Sequence, residues 1–290
     1  MRPLSYLQRF DNVELAVQQH GKGAPLVWGH ALMGSINVEN RAGLWNWEEV
    51  EKHAEVVRYD ARGHGNSDGS YDPEDYRWSC MAHDMLAVAD SVATACGVKK
   101  CVLGGLSMGA ATALEAAVQQ PDKVAGLVLV LPPTAWHSRP RQAAIYRRLG
   151  RVSGLFGAAP YRLLDMLPIP VKEDGRNQLA LHTMKGLARA NPLHVQAILR
   201  GAALSDMPDL CTLEKLDVPT LILAWEDDTA HPLTTATTLA ETLPQVHSLI
   251  ISHPTDISDW TPALCEFLDR LAAPKKRRAA TGKRRPAIAC

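Results

Sequence analysis

Cys101-Val102-Leu103-Gly104-Gly105-Leu106-Ser107-Met108-Gly109 is a short aliphatic run that feeds a serine with glycine two residues away on either side, and an alanine-rich stretch to Gln120 follows. The run reads as a strand over Cys101 to Gly104 and the stretch as a helix from about Met108, stopped by Pro121. A nucleophilic serine must stand out on a sharp turn whose backbone is strained. Glycine on both sides permits that turn, and the amino end of the next helix favours developing negative charge. A dinucleotide-binding turn is excluded on spacing, because G-x-G-x-x-G register from Gly104 would put its middle glycine at Leu106.

Outward from the turn, other short aliphatic runs read as strands buried on both faces: Leu26 to Trp28, Val56 to Tyr59, Leu127 to Leu131, Thr220 to Ala224 and Ser248 to Ile251. Helical patterns alternate with them. Met81, Met85, Val88, Ala89, Val92 and Cys96 recur every three or four residues, and Gly97 stands where that helix would end. Thr261-Pro262 reads as an N-cap and first turn, ahead of a stripe of Leu264, Leu268 and Leu271. Such alternation implies an α/β fold with a mostly parallel sheet. From Pro132 to about Leu213 no strand is evident, only helix-length segments separated by prolines, which reads as a helical cap inserted between two core strands. The expected organisation is therefore a core of residues 1–131 and 214–272, a cap over 132–213, and a disordered basic tail over 273–290.

The 290 residues carry 31 Lys and Arg against 31 Asp and Glu, but this balance is uneven along the chain. Residues 275–290 hold seven bases and no acid, which leaves 24 bases against 31 acids before them, a net of −7. An acidic body argues against a domain built to grip nucleic acid; contact with a polyanion, if any, belongs to the tail. Apolar residues are 46% and charged residues 21% of the chain, as in globular proteins. The six cysteines form no C-x-x-C pair and read as reduced, small apolar residues, and no apolar run is long enough for a signal peptide or a membrane span. The expectation is a soluble, cytoplasmic protein.

Four segments together resemble the α/β-hydrolase family. Beside Gly105 to Gly109, Val27-Trp28-Gly29-His30-Ala31-Leu32-Met33-Gly34-Ser35 is similar to the family's His-Gly loop, with Ala31 in place of a usual glycine. Asp60-Ala61-Arg62-Gly63-His64-Gly65-Asn66-Ser67 is similar to its D-x-R-G-x-G-x-S turn, which implies a scaffold role for Asp60 and His64. Ala224-Trp225-Glu226-Asp227-Asp228-Thr229-Ala230-His231-Pro232 resembles its acid loop, with Trp225 replacing a glycine. The resemblance implies Ser107 as nucleophile, the backbone N–H groups of Leu32 and Met108 as the oxyanion hole, and Asp228 as the acid, with Asp227 as the close alternative.

In the family's chain order the base follows the acid, which leaves His231, His247 and His253. His231 is three residues from Asp228 and would have to fold back. His247 precedes a strand and so lies at its amino end, whereas His253 follows the carboxyl end, where such sites form. His253 is thus the expected base, in a segment shorter than the family's usual one. The implied chemistry is acyl transfer to water through an acyl-enzyme, with no metal or organic cofactor and a small-molecule ester, lactone or related acyl compound as substrate. A non-catalytic binding protein, and an acyltransferase or perhydrolase using the same serine, are the alternatives. Arg139, Arg141, Arg147, Arg148 and Arg151 read either as a solvated helix face or as a contact for an anionic substrate.

Overall fold

The computed structural model describes residues 6–10, 12–166, 175–252 and 254–273. In chain order the elements are β1 (Tyr6–Phe10), β2 (Val13–Gly21), β3 (Pro25–Gly29), α1 (Ile36–Ala42), α2 (Trp47–Val50), β4 (Glu55–Tyr59), α3 (Trp78–Cys96), β5 (Cys101–Leu106), α4 (Met108–Gln119) and β6 (Val124–Val130). The helices α5 (Arg139–Phe156), α6 (Ala159–Asp165), α7 (Gly175–Leu187), α8 (Pro192–Leu204) and α9 (Leu210–Leu213) follow without an intervening strand. The chain then returns through β7 (Thr220–Trp225), α10 (Leu233–Thr242), β8 (Val246–Ile251) and α11 (Trp260–Ala272).

The eight strands form one sheet in the order β1-β2-β4-β3-β5-β6-β7-β8. β1, β2 and β4 pair antiparallel, and every pairing from β4 through β3 to β8 is parallel. This is the α/β-hydrolase architecture expected from the sequence. The continuous aliphatic runs have a direct cause in the layering. Along β6, Leu127 and Leu129 face the side covered by α3 and α4, while Val128 and Val130 face the side covered by α2 and α11. Because both faces are buried, no position in such a strand is left to be polar.

Two details of the helices bear on the sequence reading. Gly97 ends α3 in the left-handed region at φ 67°, with its N–H on the Ala93 and Thr94 carbonyls. The last helix differs from expectation: it starts at Trp260, and Thr261 is already inside it. The Thr261 hydroxyl instead accepts the Asn46 N–H at 3.2 Å, linking α11 to the start of α2. Cys80, Cys96, Cys101 and Cys265 are free thiols, whereas Cys211 is disulfide-bonded, against the expectation of six reduced cysteines. No helix among the described residues is long and apolar enough to cross a membrane. Tail residues 274–290, including all seven basic ones, lie outside the described residues.

Candidate active site

Ser107 stands between β5 and α4 at φ 55° and ψ −106°, a backbone conformation that an L-residue adopts only under constraint. Both sides of the turn are anchored. Its N–H still donates to the Val130 carbonyl at 2.8 Å as part of the sheet, and its carbonyl already accepts from Ala111 at 3.0 Å as part of the helix. The glycines make this possible by backbone contact. A Cβ on Gly105 would lie 2.7 Å from the Gly109 Cα, and one on Gly109 would collide with the Gly29 carbonyl. Gly29, Gly105 and Gly109 thus let the ends of β3 and β5 and the first turn of α4 meet.

The acid loop follows β7 on the same side of the sheet. Asp227 sits at φ 57° and reverses the chain, and its side chain is exposed. Asp228 then holds the turn: its Oδ1 accepts the N–H of Ala230 at 2.9 Å and of His231 at 3.1 Å, an Asx-type turn. Its Oδ2 accepts the Trp225 indole N–H at 2.8 Å and faces His231 Nδ1 at 2.9 Å. Burial alone would raise the carboxyl's pKa, but the donors from His231, Trp225 and Ala230 outweigh it and hold the group well below the usual carboxylate range. Asp228 is therefore ionised at neutral pH.

Because an ionised carboxylate only accepts, Nδ1 of His231 carries the proton, and the opposite nitrogen is a free acceptor. That nitrogen, Nε2, lies 2.8 Å from Ser107 Oγ. Asp228, His231 and Ser107 thus form one hydrogen-bonded series in which the hydroxyl donates to the imidazole. The histidine at Ser107 is not the expected one. His253 lies outside the described residues, and His247 is at the far end of β8, opposite Leu221. His231 folds back because the Asx turn tightens the loop, and the loop is pinned by the Thr134 N–H on the Ala230 carbonyl at 3.2 Å. The sequence signal was present in Asp228-Thr229-Ala230-His231-Pro232: an Asx-turn residue followed at the third position by a histidine and then by the proline that precedes α10.

The two residues expected to offer backbone N–H groups lie in different elements, Met108 directly after the serine and Leu32 in the loop after β3. Met108 is the first residue of α4, where helix geometry leaves its N–H without an intrahelical acceptor. Leu32 lies in a tight turn closed by the Gly34 N–H on the Ala31 carbonyl at 2.8 Å, with Met33 at φ 60°. Beneath the turn, His30 donates from Nδ1 to Ala31 O and accepts the Ala61 N–H at Nε2, at 2.8 and 2.9 Å. Asp60, fully buried, accepts the N–H groups of Ile36 and Asn66 at 2.7 and 2.9 Å. Burial lowers the pKa of His30 to about 4 and of His64 to about 3, so both rings are neutral supports. No group of three His, Cys, Asp or Glu that could hold a metal occurs among the described residues.

The helices inserted between β6 and β7 are bolted to the core by two arginines. Arg176 of α7 donates to the Glu226 and Asp227 carbonyls at 2.6 and 2.8 Å and lies over the Trp225 ring, gripping the loop that carries Asp228 and His231. Arg139, buried at the start of α5, donates to the carbonyls of Ser205, at 2.7 Å, and Ala202, and lies 4.2 Å over the Trp78 ring. It is therefore committed to structure, while Arg141, Arg147, Arg148 and Arg151 are exposed.

A mostly parallel sheet covered on both faces, with a strained serine after its central strand β5 and an acidic loop after β7, defines the α/β-hydrolase class. Residues 20–260 match the model of the alpha/beta hydrolase family, and the chain belongs to that family. A relative from Variovorax paradoxus (strain S110), named "Putative carbamate hydrolase RutD", is 27% identical over 259 residues, spanning 85% of this chain and 94% of its own. Among solved structures, a thermophilic esterase from Thermogutta terrifontis is 25% identical with a TM-score of 0.72, covering 94% of this chain and 100% of its own. The enol-lactonase from Burkholderia xenovorans LB400 shares the fold at 19% identity and a TM-score of 0.73, over 91% and 100%.

Proposed function

We propose that the chain is a serine hydrolase that cleaves a carboxylic acyl bond through an acyl-enzyme. The observation that carries this reading is the His231 ring, held between the Asp228 carboxylate and the Ser107 hydroxyl at 2.9 and 2.8 Å. His231 takes the serine proton as Oγ attacks the substrate carbonyl, and the resulting imidazolium is stabilised by Asp228. The backbone N–H groups of Leu32 and Met108 receive the oxyanion. His231 then returns the proton to the leaving group, and a water activated by the same ring releases the acid. The helices inserted between β6 and β7 act as the cap that shapes the substrate cavity.

Esters and lactones are the substrate classes suggested by the structural neighbours. The names of the sequence relatives add carbamates, whose carbonyl would pass through the same steps to a carbamoyl-enzyme. The test is a fluorophosphonate probe on the native chain and on Ser107→Ala, followed by turnover of matched aryl ester, lactone and aryl carbamate substrates. Labelling that depends on Ser107 is expected. Its absence overturns the hydrolase reading in favour of a binding protein, and product transfer to an added alcohol in preference to water redirects it to an acyltransferase.

A further inference from the structure

The inserted helix α5 has two faces that differ in kind. The buried one, with Ala143, Gly150 and Ser153, packs on α8, where Gly150 lies against Gln196 and Leu199. The outward one is not the polar surface usual for a helix on the outside of a protein. Apart from Pro140 and Gly154, every exposed side chain on it is an arginine or a hydrocarbon, so the face offers no side-chain hydrogen-bond acceptor. Ile145, Leu149, Val152 and Phe156 follow one another at intervals of four, three and four, which places them in one stripe along the helix. Arg147, Arg148 and Arg151 run beside it. Arg151 stands four residues from Arg147 and three from Arg148, so its Cβ is about 5–6 Å from each of theirs. None of these arginines, nor Arg141, is in an ion pair among the described residues, and residues 132–164 contain no acid at all.

The stripe ends at an apolar tip. Ser153 Oγ and Tyr161 OH lie 2.7 Å apart and join α6 to the last turns of α5. Leu155 and Phe156 before this junction, and Leu163 and Met166 after it, are 63–80% exposed. Whatever covers the face must therefore offer hydrocarbon to the tip and negative oxygens to the arginines. A second copy of the chain, meeting this face with its own, would set arginine against arginine with no acid to pair them. A nucleic acid would satisfy the arginines and leave the tip in water. An anionic lipid bilayer supplies both halves, phosphate oxygens at its surface and acyl chains directly beneath.

We propose that α5 and α6 form a docking face for the surface of an anionic lipid bilayer, with Arg141, Arg147, Arg148 and Arg151 on lipid phosphates and the tip among the acyl chains. The association is peripheral, since no helix among the described residues is long and apolar enough to cross. Co-sedimentation of the full chain with phosphatidylcholine vesicles, with and without phosphatidylglycerol, is the first test. Binding should be roughly tenfold or more tighter with phosphatidylglycerol and should weaken as salt is raised. Because residues 275–290 are basic as well, a second readout is placed on α5 itself. Phe156→Trp adds an exposed indole to a chain whose own tryptophans are buried or half-buried, and brominated lipid should quench it beyond the parent. Arg147→Gln/Arg148→Gln/Arg151→Gln and Leu155→Ser/Phe156→Ser, all on exposed side chains, should each weaken vesicle binding by roughly tenfold or more. The proposal is overturned if the chain binds no vesicle, if Phe156→Trp is quenched no more than the parent, or if both multiple variants bind as the parent does. Dimerisation that Leu155→Ser/Phe156→Ser abolishes, without vesicle binding, overturns it in favour of a second copy. The quenching comparison stands even if the multiple variants fail to fold.

Discussion

His231 lies three residues after Asp228, and its ring is nonetheless 2.9 Å from that residue's carboxylate and 2.8 Å from the hydroxyl of Ser107, 124 residues away in the chain. The carboxylate and the imidazole are thus delivered to the serine by one loop. The bond geometry of the pair depends on the Asx turn that Asp228 makes with its own neighbours, so the carboxylate both folds the loop and orients the imidazole.

Replacing the members of this series singly should have similar, non-additive effects. His231→Ala and Ser107→Ala are each expected to lower kcat by roughly three or more powers of ten, and the double change to cost little beyond either one. His253→Ala should keep turnover within a few-fold of the parent. Steady-state rates on an aryl ester decide between them, and a loss of the larger size in His253→Ala alone would transfer the role of base to that residue.

Trp225 donates to the same carboxylate and stacks on Trp260 with centroids 5.3 Å apart. Trp225→Phe keeps most of the stacking area and removes only the donor. A fall in kcat of roughly tenfold with little change in KM is expected, since a hydrogen bond to a charged group is worth about 1.5–3 kcal/mol. An unaltered kcat would mean that the other three donors suffice.

Arg176 holds the loop from the side of the inserted helices. Arg176→Ala should lower kcat and increase the mobility of the Trp225 region, visible as faster acrylamide quenching of tryptophan fluorescence, while Arg176→Lys recovers part of both. If kcat falls and quenching does not change, the arginine acts on the substrate and not on the loop.

Acid should unfold the protein through its neutral histidines. Both His30 and His64 have folded pKa values below the unfolded value of 6.5, about 4 and about 3. The unfolded chain therefore binds more protons between these limits, and stability is full above about pH 6.5 and declines as pH falls towards 4 and then 3. For His30 the shift corresponds to about 3 kcal/mol. Denaturant midpoints measured from pH 7.5 to 4 should fall steadily, and His30→Asn should flatten the slope. An unchanged slope would show that other groups dominate the acid limb.

Backbone contact at the elbow predicts a stability effect independent of chemistry. Gly109→Ala places a methyl against the Gly29 carbonyl, and overpacking of this kind costs about 1–3 kcal/mol. Thermal unfolding should show a lowered Tm together with lost serine labelling.

Much of this architecture was legible in the residues. The six runs read as strands correspond to β3 through β8; β3 to β7, buried on both faces, leave an unbroken aliphatic trace, whereas β8, expected to be buried on both faces, is the far edge of the sheet and largely exposed. β1 and β2 were not read as strands: both pair antiparallel, β1 at the sheet edge and β2 between β1 and β4, and polar residues (Gln8, Arg9, Glu14, Gln18, Gln19 and His20) interrupt their apolar positions. Ser107 could be placed because its turn demands glycine neighbours that the sequence displays. Asp228 could be placed by its distance from Pro232. His231 was marked only by its place three residues after Asp228 and before Pro232, and the fold-back that brings it to Ser107 rests on a left-handed residue, Asp227, with no glycine to advertise it.

The confinement of the proposed acid and base to residues 228–231 has a consequence for the molecule as a whole. All three side chains of the proposed series fall within Ser107 to His231, ahead of β8 and α11 in the chain. The loop is not self-sufficient, because Trp225, the Thr134 N–H and the Arg176 guanidinium hold it from outside 226–232, so the carboxylate and the imidazole would move to another scaffold only together with those three contacts.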